Sequence, residues 1–279
     1  MPLQYHQSHG VRCEASAVQS GTRGFGCSAG YSGGLIKGSW NTLIASTTFT
    51  YELLVVELLN YDISDVDFLV DIGIYDGSST YFIIAPDLHL PFSYPNDQES
   101  VVHIPLPLHI PKGSLLAARA LSSAGTNTIV DVTIQGFSSN YMGVPGFSRC
   151  VTLFTPDSTC QGVSCDVSAA NTRTRVQIIS SSSARVGAIF AVIGPDYDAS
   201  GTMNKLCIDI ETGGSGSERI LAPNLYGVHA QYQYKVFPQV TPLYPCDVPA
   251  GERFSVNYQS SLKSDPGSHM DFSLYGLVP

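Results

Sequence analysis

The stretch VVHIPLPLHIPKG, residues 101–113, decides the fold. Taking every second residue splits it into two sets. Val102, Ile104, Leu106, Leu108 and Ile110 form one, and Val101, His103, Pro105, Pro107, His109 and Pro111 form the other. A period of two is the strand period, so the five aliphatics share one face of a sheet. Backbone N–H direction alternates with the same period, and proline has no N–H to give. Pro105, Pro107 and Pro111 therefore remove donors along one flank. A strand of this kind belongs at the rim of a sheet, pairing on one side, where prolines also oppose edge-to-edge aggregation. Its dry face is expected to pack on a second sheet. His103 and His109 share the proline parity, six residues apart. That spans about 20 Å of strand, too far for one metal ion, so both are read as solvent-facing imidazoles.

Outward from this stretch, the chain repeats itself. HIPKGSLLAARALSS (109–123) returns as DVPAGERFSVNYQSS (247–261), VDI (70–72) as IDI (208–210), APDL (85–88) as APNL (222–225), and VDVTIQGF (130–137) as MDFSLYGL (270–277). The offsets lie between 137 and 140 residues. Pro107 and Pro111 recur as Pro245 and Pro249, while Leu106, Leu108 and Ile110 recur as Tyr244, Cys246 and Val248. The Pro-x-Gly turn closing each copy, Pro111 to Gly113 and Pro249 to Gly251, joins a fixed φ to a residue that takes positive φ freely, and a strand follows it both times. Such a unit is too long for a solenoid repeat and has the size of one sandwich.

The fold class expected is therefore all-β: two tandem antiparallel β-sandwich, jelly-roll-like domains from an internal duplication. A Gly/Ser-rich N-terminal arm with a first strand takes 1–35, domain 1 takes 36–143 and domain 2 takes 144–279, with the boundary in SSNYMGVPG (138–146). RC at 12–13 and again at 149–150 hints that each unit begins near there. Within domain 1, strands are expected at 41–48, 51–59, 67–75, 80–85, 101–109, 114–121 and 128–137, separated by YDIS, DGSS, SYPNDQ, PKGS and SAGTN. The run YELLVVELLNY (51–61) is read as strand for its β-branched centre.

Composition narrows the function. Charged residues make up 13% of the chain, about half the usual globular share. Net charge is −9, which argues against nucleic acid as a partner. Residues 1–140 hold 5 basic and 12 acidic groups, and residues 141–279 hold 9 and 11, so the first half carries most of the negative charge. The start MPLQYHQSHG has no apolar core of a secretory signal, and no apolar run approaches membrane-spanning length. Free thiols are then the default for the seven cysteines, with Cys13–Cys27 and Cys150–Cys165 as the alternative local disulfides. No cysteine spacing matches a zinc framework.

Chemistry-bearing patterns are few. GYSGG (30–34) has the G-x-S-x-G form, with Ser32 as nominal nucleophile. A nucleophile elbow needs an apolar strand before it and a helix after it, and neither GTRGFGCSA nor LIKGSW supplies one. Asp62, Asp65, Asp67, Asp71 and Asp76 cluster without an EF-hand pattern, and read as turn caps and a solvated strand face. TGGSGSER (212–219) stands where YDGSS stands in the first copy and reads as a hairpin loop. No catalytic, cofactor-binding or metal residue is assigned, and no cofactor is expected. The positions singled out are structural: Pro105, Pro107, Pro111, Gly113, Pro245, Pro249 and Gly251.

GSWNTLIAST (38–47), DFLVDIGI (67–74), IPKGSLLAARALSS (110–123) and VDVTIQGF (130–137) resemble β-sandwich modules in virion structural proteins of tailed bacteriophages, especially marine ones. The resemblance covers most of the first unit and thins to APNL, VPAGERF and the last strand in the second. It implies a non-enzymatic building block made in the host cytoplasm and assembled into the virion, as capsid decoration or cement or as a tail-tip or fibre component. It also implies other virion proteins as partners and a homo-oligomer, a trimer being common in such assemblies. Residues 1–35 are expected to lie on a neighbouring subunit. Two alternatives stand beside it: a host-surface glycan-binding module using exposed tyrosines and Trp40, and a hydrolase using Ser32 or an acidic pair.

Overall fold

The computed structural model describes residues 13–15, 26–31, 36–60, 66–75, 77–78, 80–91, 100–123, 129–139, 146–156, 160–166, 171–195, 204–229, 238–260 and 269–279. These residues form strands and connections, with no helix among them. The first half contains β1 (Cys13–Ala15), β2 (Gly26–Tyr31), β3 (Asn41–Ile44), β4 (Leu53–Asn60), β5 (Phe68–Tyr75), β6 (Tyr81–Leu90), β7 (Ser100–Leu106), β8 (Leu115–Ser122) and β9 (Ile129–Phe137). The second contains β10 (Arg149–Thr152), β11 (Val163–Asp166), β12 (Thr174–Ile179), β13 (Val186–Pro195), β14 (Asn204–Thr212), β15 (Arg219–His229), β16 (Gln239–Val240), β17 (Tyr244–Val248), β18 (Phe254–Ser260) and β19 (His269–Val278). The chain is all-β, with several mainly antiparallel sheets.

In the first half, β6-β5-β8-β3 form one layer and β7-β4-β9-β1 the other. β2 joins the layers, antiparallel to β9 through Gly26 to Ser28 and parallel to β8 through Ala29 to Tyr31. The expectation that residues 1–35 lie on a neighbouring subunit is corrected for these two strands. β1 and β2 pair within the chain, where they satisfy backbone groups on the flanks of β8 and β9 that an open edge would leave unpaired.

The second half uses the same order, β15-β14-β18-β12 in one layer and β17-β13-β19-β10 in the other. Registers recur as well. Val70 faces Ala120 and Asp71 faces Arg119; Ile208 faces Tyr258 and Asp209 faces Asn257. Leu54 faces Leu106 and Ile189 faces Tyr244. Cys13 stands opposite Phe137, and Cys150 opposite Leu277.

Among the described residues β7 pairs with β4 alone, Val55 standing opposite Pro105. The five aliphatics of the alternating stretch are at most 1% exposed, while His103, His109 and Pro111 face solvent. One-sided pairing is corrected further along. Ile110 exchanges both backbone bonds with Tyr51, while Phe147 N–H donates to Pro107 O (2.8 Å) and His109 N–H donates to Phe147 O (3.0 Å). The chain is thus bonded on both flanks over 107–110. Proline permits this because the bridge asks residue 107 only for its carbonyl.

Two backbone devices repeat. Gly113 and Gly251 take φ of +88° and +90°, and their N–H groups donate to Thr47 O and Ser182 O, both at 2.9 Å. Pro111 stands at the first position of its turn, its carbonyl accepting Ser114 N–H (3.3 Å) and the Thr47 hydroxyl (2.9 Å). In APDL and APNL a bulge places Asp87 and Asn224 at φ +49° and +52°. Their N–H groups donate to the carboxylates of Asp71 (2.9 Å) and Asp209 (2.7 Å). Left-handed backbone is tolerated best by Asp and Asn outside glycine.

The halves are docked on each other. The outer face of β6 lies on β10 and on the faces of β13 and β19 turned away from their own core. His89 N–H donates to Tyr275 Oη (2.8 Å), the Tyr275 hydroxyl donates to Asp87 O (2.8 Å), and His89 Nδ1 lies 2.8 Å from Ser273 Oγ. Pro91 packs over Gly194, where an added Cβ would lie 2.6 Å from the ring. His89 is fully buried, its Nε2 lying 3.4 Å from Asp67 Oδ1 without hydrogen-bond geometry.

Candidate functional site

Two features of the sheet faces hold the polar chemistry: ion-paired carboxylates and a cleft. On the first half, Asp71 is 2% exposed and accepts Lys37 Nζ (2.8 Å), Arg119 Nε (2.9 Å) and the Asp87 N–H. Lys37 also reaches Asp87 Oδ1 (2.7 Å). The segment 36–40 crosses this face, and Trp40 stacks on Tyr81 (4.5 Å) with Arg119 at 4.6 Å from its ring. Gly73 makes room for the indole, since a Cβ there would lie 2.7 Å from it. The solvated strand face expected for Asp67 and Asp71 is therefore corrected: both are buried, under the crossing segment and the second half. Asp62, Asp65 and Asp76 lie outside the described residues.

On the second half the same face carries Asp209 and Glu211 of β14, each about as buried as Asp71. Arg173 pairs with Asp209, and Arg175 Nε reaches Glu211 Oε2 at 2.6 Å. These bonds hold both guanidinium groups above their ordinary pKa. Glu218 sits below the usual carboxylate range, through its own backbone N–H first and then Arg253 (3.0 Å), Arg175 and Gly216 N–H. Its side chain is 4% exposed. Asp71, Asp209, Glu211 and Glu218 are thus all held by cations, an arrangement that braces neighbouring strands.

The cleft, of about 540 Å³, lies at one side of the second sandwich between β15 and the β16–β17 segment. Asn224, Tyr226, Gln239, Thr241, Pro242 and Tyr244 line it, beside Ile193, Leu225 and Val240. The bulge at Asn224 directs the following strand so that Tyr226 is 75% exposed. Among the described residues, the Gln239 amide and the hydroxyls of Tyr226 and Tyr244 have no protein partner. Sequence reading missed this cleft, because Tyr226 and Tyr244 belong to different strands with no shared period.

The residues singled out from sequence fall apart in space. Ser32 lies outside the described residues. A strand, β2, does precede it, contrary to expectation, but β3 rather than a helix follows. Trp40 is half-buried and engaged by Tyr81 and Arg119, so the exposed platform expected of it is corrected. His103 and His109 are exposed beside Glu57 (3.4 Å) and Glu52 (3.0 Å). Among the described residues no group of His, Cys, Asp and Glu is arranged to hold a metal.

Cys150, Cys160, Cys165, Cys207 and Cys246 are free thiols, which corrects the Cys150–Cys165 alternative. Cys150 faces Leu277 and Cys165 faces Met270, seven residues apart on β19. That is about 23 Å, beyond disulfide reach. Burial pushes both thiols up, and Cys246 up to about 11. The side chains of Cys13 and Cys27 lie outside the described residues.

No protein-family model and no curated protein sequence matches the chain. Among solved structures, it is similar to PNGF-II at 9% identity and TM-score 0.39, over 99% of this chain and 67% of that one. It is also similar to the tandem CBM22 domains of Paenibacillus barcinonensis Xyn10C, at 10% identity and TM-score 0.27, over 96% and 91%. A third is the cowpea mosaic virus empty particle, at 9% identity and TM-score 0.29, over 96% and 90%. At these scores the likeness carries no functional argument, and the fold class rests on the strand pairing above.

Proposed function

We propose that the chain is a non-enzymatic structural component of a virion, a capsid decoration or cement protein or a part of the tail tip or fibre of a tailed phage. One observation carries this reading: four acids whose side chains are at most 4% exposed, Asp71, Asp209, Glu211 and Glu218, are each committed to Lys37, Arg119, Arg173, Arg175 or Arg253. Their charge is used to tie strands together, which suits a body that bears load rather than one that turns over substrate. The recurring strand order and registers support an origin by tandem duplication. The sequence resemblance supplies the phage context. Quantitative mass spectrometry of gradient-purified particles tests the proposal. Many copies per particle support head decoration and a few support the tail; absence from particles while the protein accumulates in the producing cell overturns it.

A second reading, binding of a surface glycan, draws on the cleft, whose uncharged amide, hydroxyl and tyrosine lining suits a neutral sugar. Binding on an array of neutral saccharides, lost in Tyr244→Ala, would support it; no binding would remove it.

A further inference from the structure

One buried group at the contact between the halves is left incomplete. His89 of β6 is fully buried, and its Nε2 has no hydrogen-bond partner among the described residues. Counting protons fixes what that nitrogen needs. Tyr275 Oη gives its proton to Asp87 O and accepts His89 N–H, so in its hydrogen bond with Ser273 the serine hydroxyl is the donor. A hydroxyl has one proton to give. Ser273 Oγ, 2.8 Å from His89 Nδ1, therefore accepts there, and Nδ1 carries a hydrogen. A neutral imidazole holds hydrogen on one nitrogen only. Nε2 is then a bare lone pair, 3.4 Å from a carboxylate oxygen of Asp67, itself a buried residue. Two acceptors face each other with no donor between them.

We infer that His89 is a proton-operated latch: a proton bound at Nε2 joins Asp67 of the first half to Ser273 of the second through one ring, and its release slackens the docking of β6 on β19. The imidazolium has two donors, and one acceptor from each half already stands beside it. A hydrogen bond between charged groups is stronger than a neutral one, and more so away from water. The surroundings suit a positive ring. β19 brings Asp271, buried on the same face as Ser273 and Tyr275. β10 brings Thr152 and Cys150, whose thiol burial pushes up and keeps neutral. β13 presents Phe190, Val192 and Gly194, which carry no charge. Lys37 reaches Leu69 O, opposite His89, and is matched there by Asp71 and Asp87. The unfolded chain has no such pair of acceptors, so docking binds a proton, and a state that binds protons loses stability as pH rises. The latch is independent of the virion reading and holds whether or not the chain enters a particle.

The test uses the full chain, isotope-labelled, titrated from about pH 5.5 to about pH 8.5. Long-range proton–nitrogen correlation spectra should show hydrogen on both ring nitrogens of His89 at the acid end and on Nδ1 alone at the other. Protection of the His89 amide against exchange, corrected for the intrinsic rate, should fall as the ring loses its proton, because that amide is held by Tyr275 across the contact. The urea midpoint of the wild type is expected to fall by about 0.4 M more over this range than that of His89→Gln. His103→Gln, which removes an exposed imidazole, should keep the wild-type fall. The spectra and the amide are read on the wild type, so they decide even where His89→Gln does not fold. A ring that keeps one state over the whole range, a neutral ring with its hydrogen on Nε2, amide protection that does not change, or a His89→Gln chain with the wild-type fall overturns the inference.

Discussion

Replacing Tyr275 by phenylalanine removes one oxygen from the contact between the halves and leaves the ring in place. That oxygen accepts His89 N–H and donates to Asp87 O, both at 2.8 Å, and the tyrosine is fully buried. The ring keeps its stack on Phe190 at 4.9 Å and its edge contact with Phe154 at 5.7 Å. The loss is therefore polar. A buried donor or acceptor without a partner costs about 1–3 kcal/mol. The N–H bears the full penalty, while a carbonyl tolerates under-satisfaction better, so the sum is about 2–4 kcal/mol. With an m-value near 3 kcal/mol per M, the urea midpoint falls by about 1 M. Trp40 is the chain's one tryptophan and lies in the first half, so its fluorescence reports that half, while far-UV circular dichroism reports both. Both probes should shift together, although the substitution lies in the second half. A midpoint change below about 0.2 M, or a shift in circular dichroism that leaves Trp40 untouched, would refute the docking.

Four further outcomes follow from the same geometry. Asp71→Asn retains an acceptor for Asp87 N–H but strips the charge from Lys37 and Arg119, and should cost about 2–3 kcal/mol in urea unfolding. Gly136→Ala places a Cβ 2.2 Å from the buried Tyr51 ring and should cost about 2–3 kcal/mol, more than Gly276→Ala, whose Cβ meets Val186 at 2.9 Å. Glu218 is held below its ordinary pKa of 4.5, so its stabilisation is present above that value and lost as pH falls through the lowered one; in Glu218→Gln, unfolding titrations should show a shallower loss of stability on acidification. Cys150, Cys160 and Cys165 should resist a thiol reagent in the native state and react in urea, with no Cys150–Cys165 bridge in non-reducing peptide maps.

Strands with an apolar alternation or a β-branched run were legible in the sequence. β4, β5, β8 and β9 fall within a residue or two of where pattern places them. β1 and β2 were not, because glycine- and serine-rich segments carry no period; only the flanks of β8 and β9 give them a place. Parity assigns Asp71 to the outer face correctly but says nothing of what lies over that face, here residues 36–40. A signal for its fixed role was present: Asp71 recurs as Asp209, and each faces an Asp or Asn that recurs in APDL and APNL. The docking of the halves, and with it the burial of His89, lay beyond reach, because periodicity encodes which face is dry within one sheet and not which face meets another domain.

Backbone NOEs across strand pairs in the labelled chain test most directly whether one sandwich is built twice with β7 at its rim. Contacts of Val70 with Ala120 and Asp71 with Arg119 should reappear 138 residues later as Ile208 with Tyr258 and Asp209 with Asn257. Residues 101–106 should show β4 as their sole neighbouring strand. A register for β14 on β18 shifted by even one residue, or a second strand bonded along the free flank of 101–106, would contradict it.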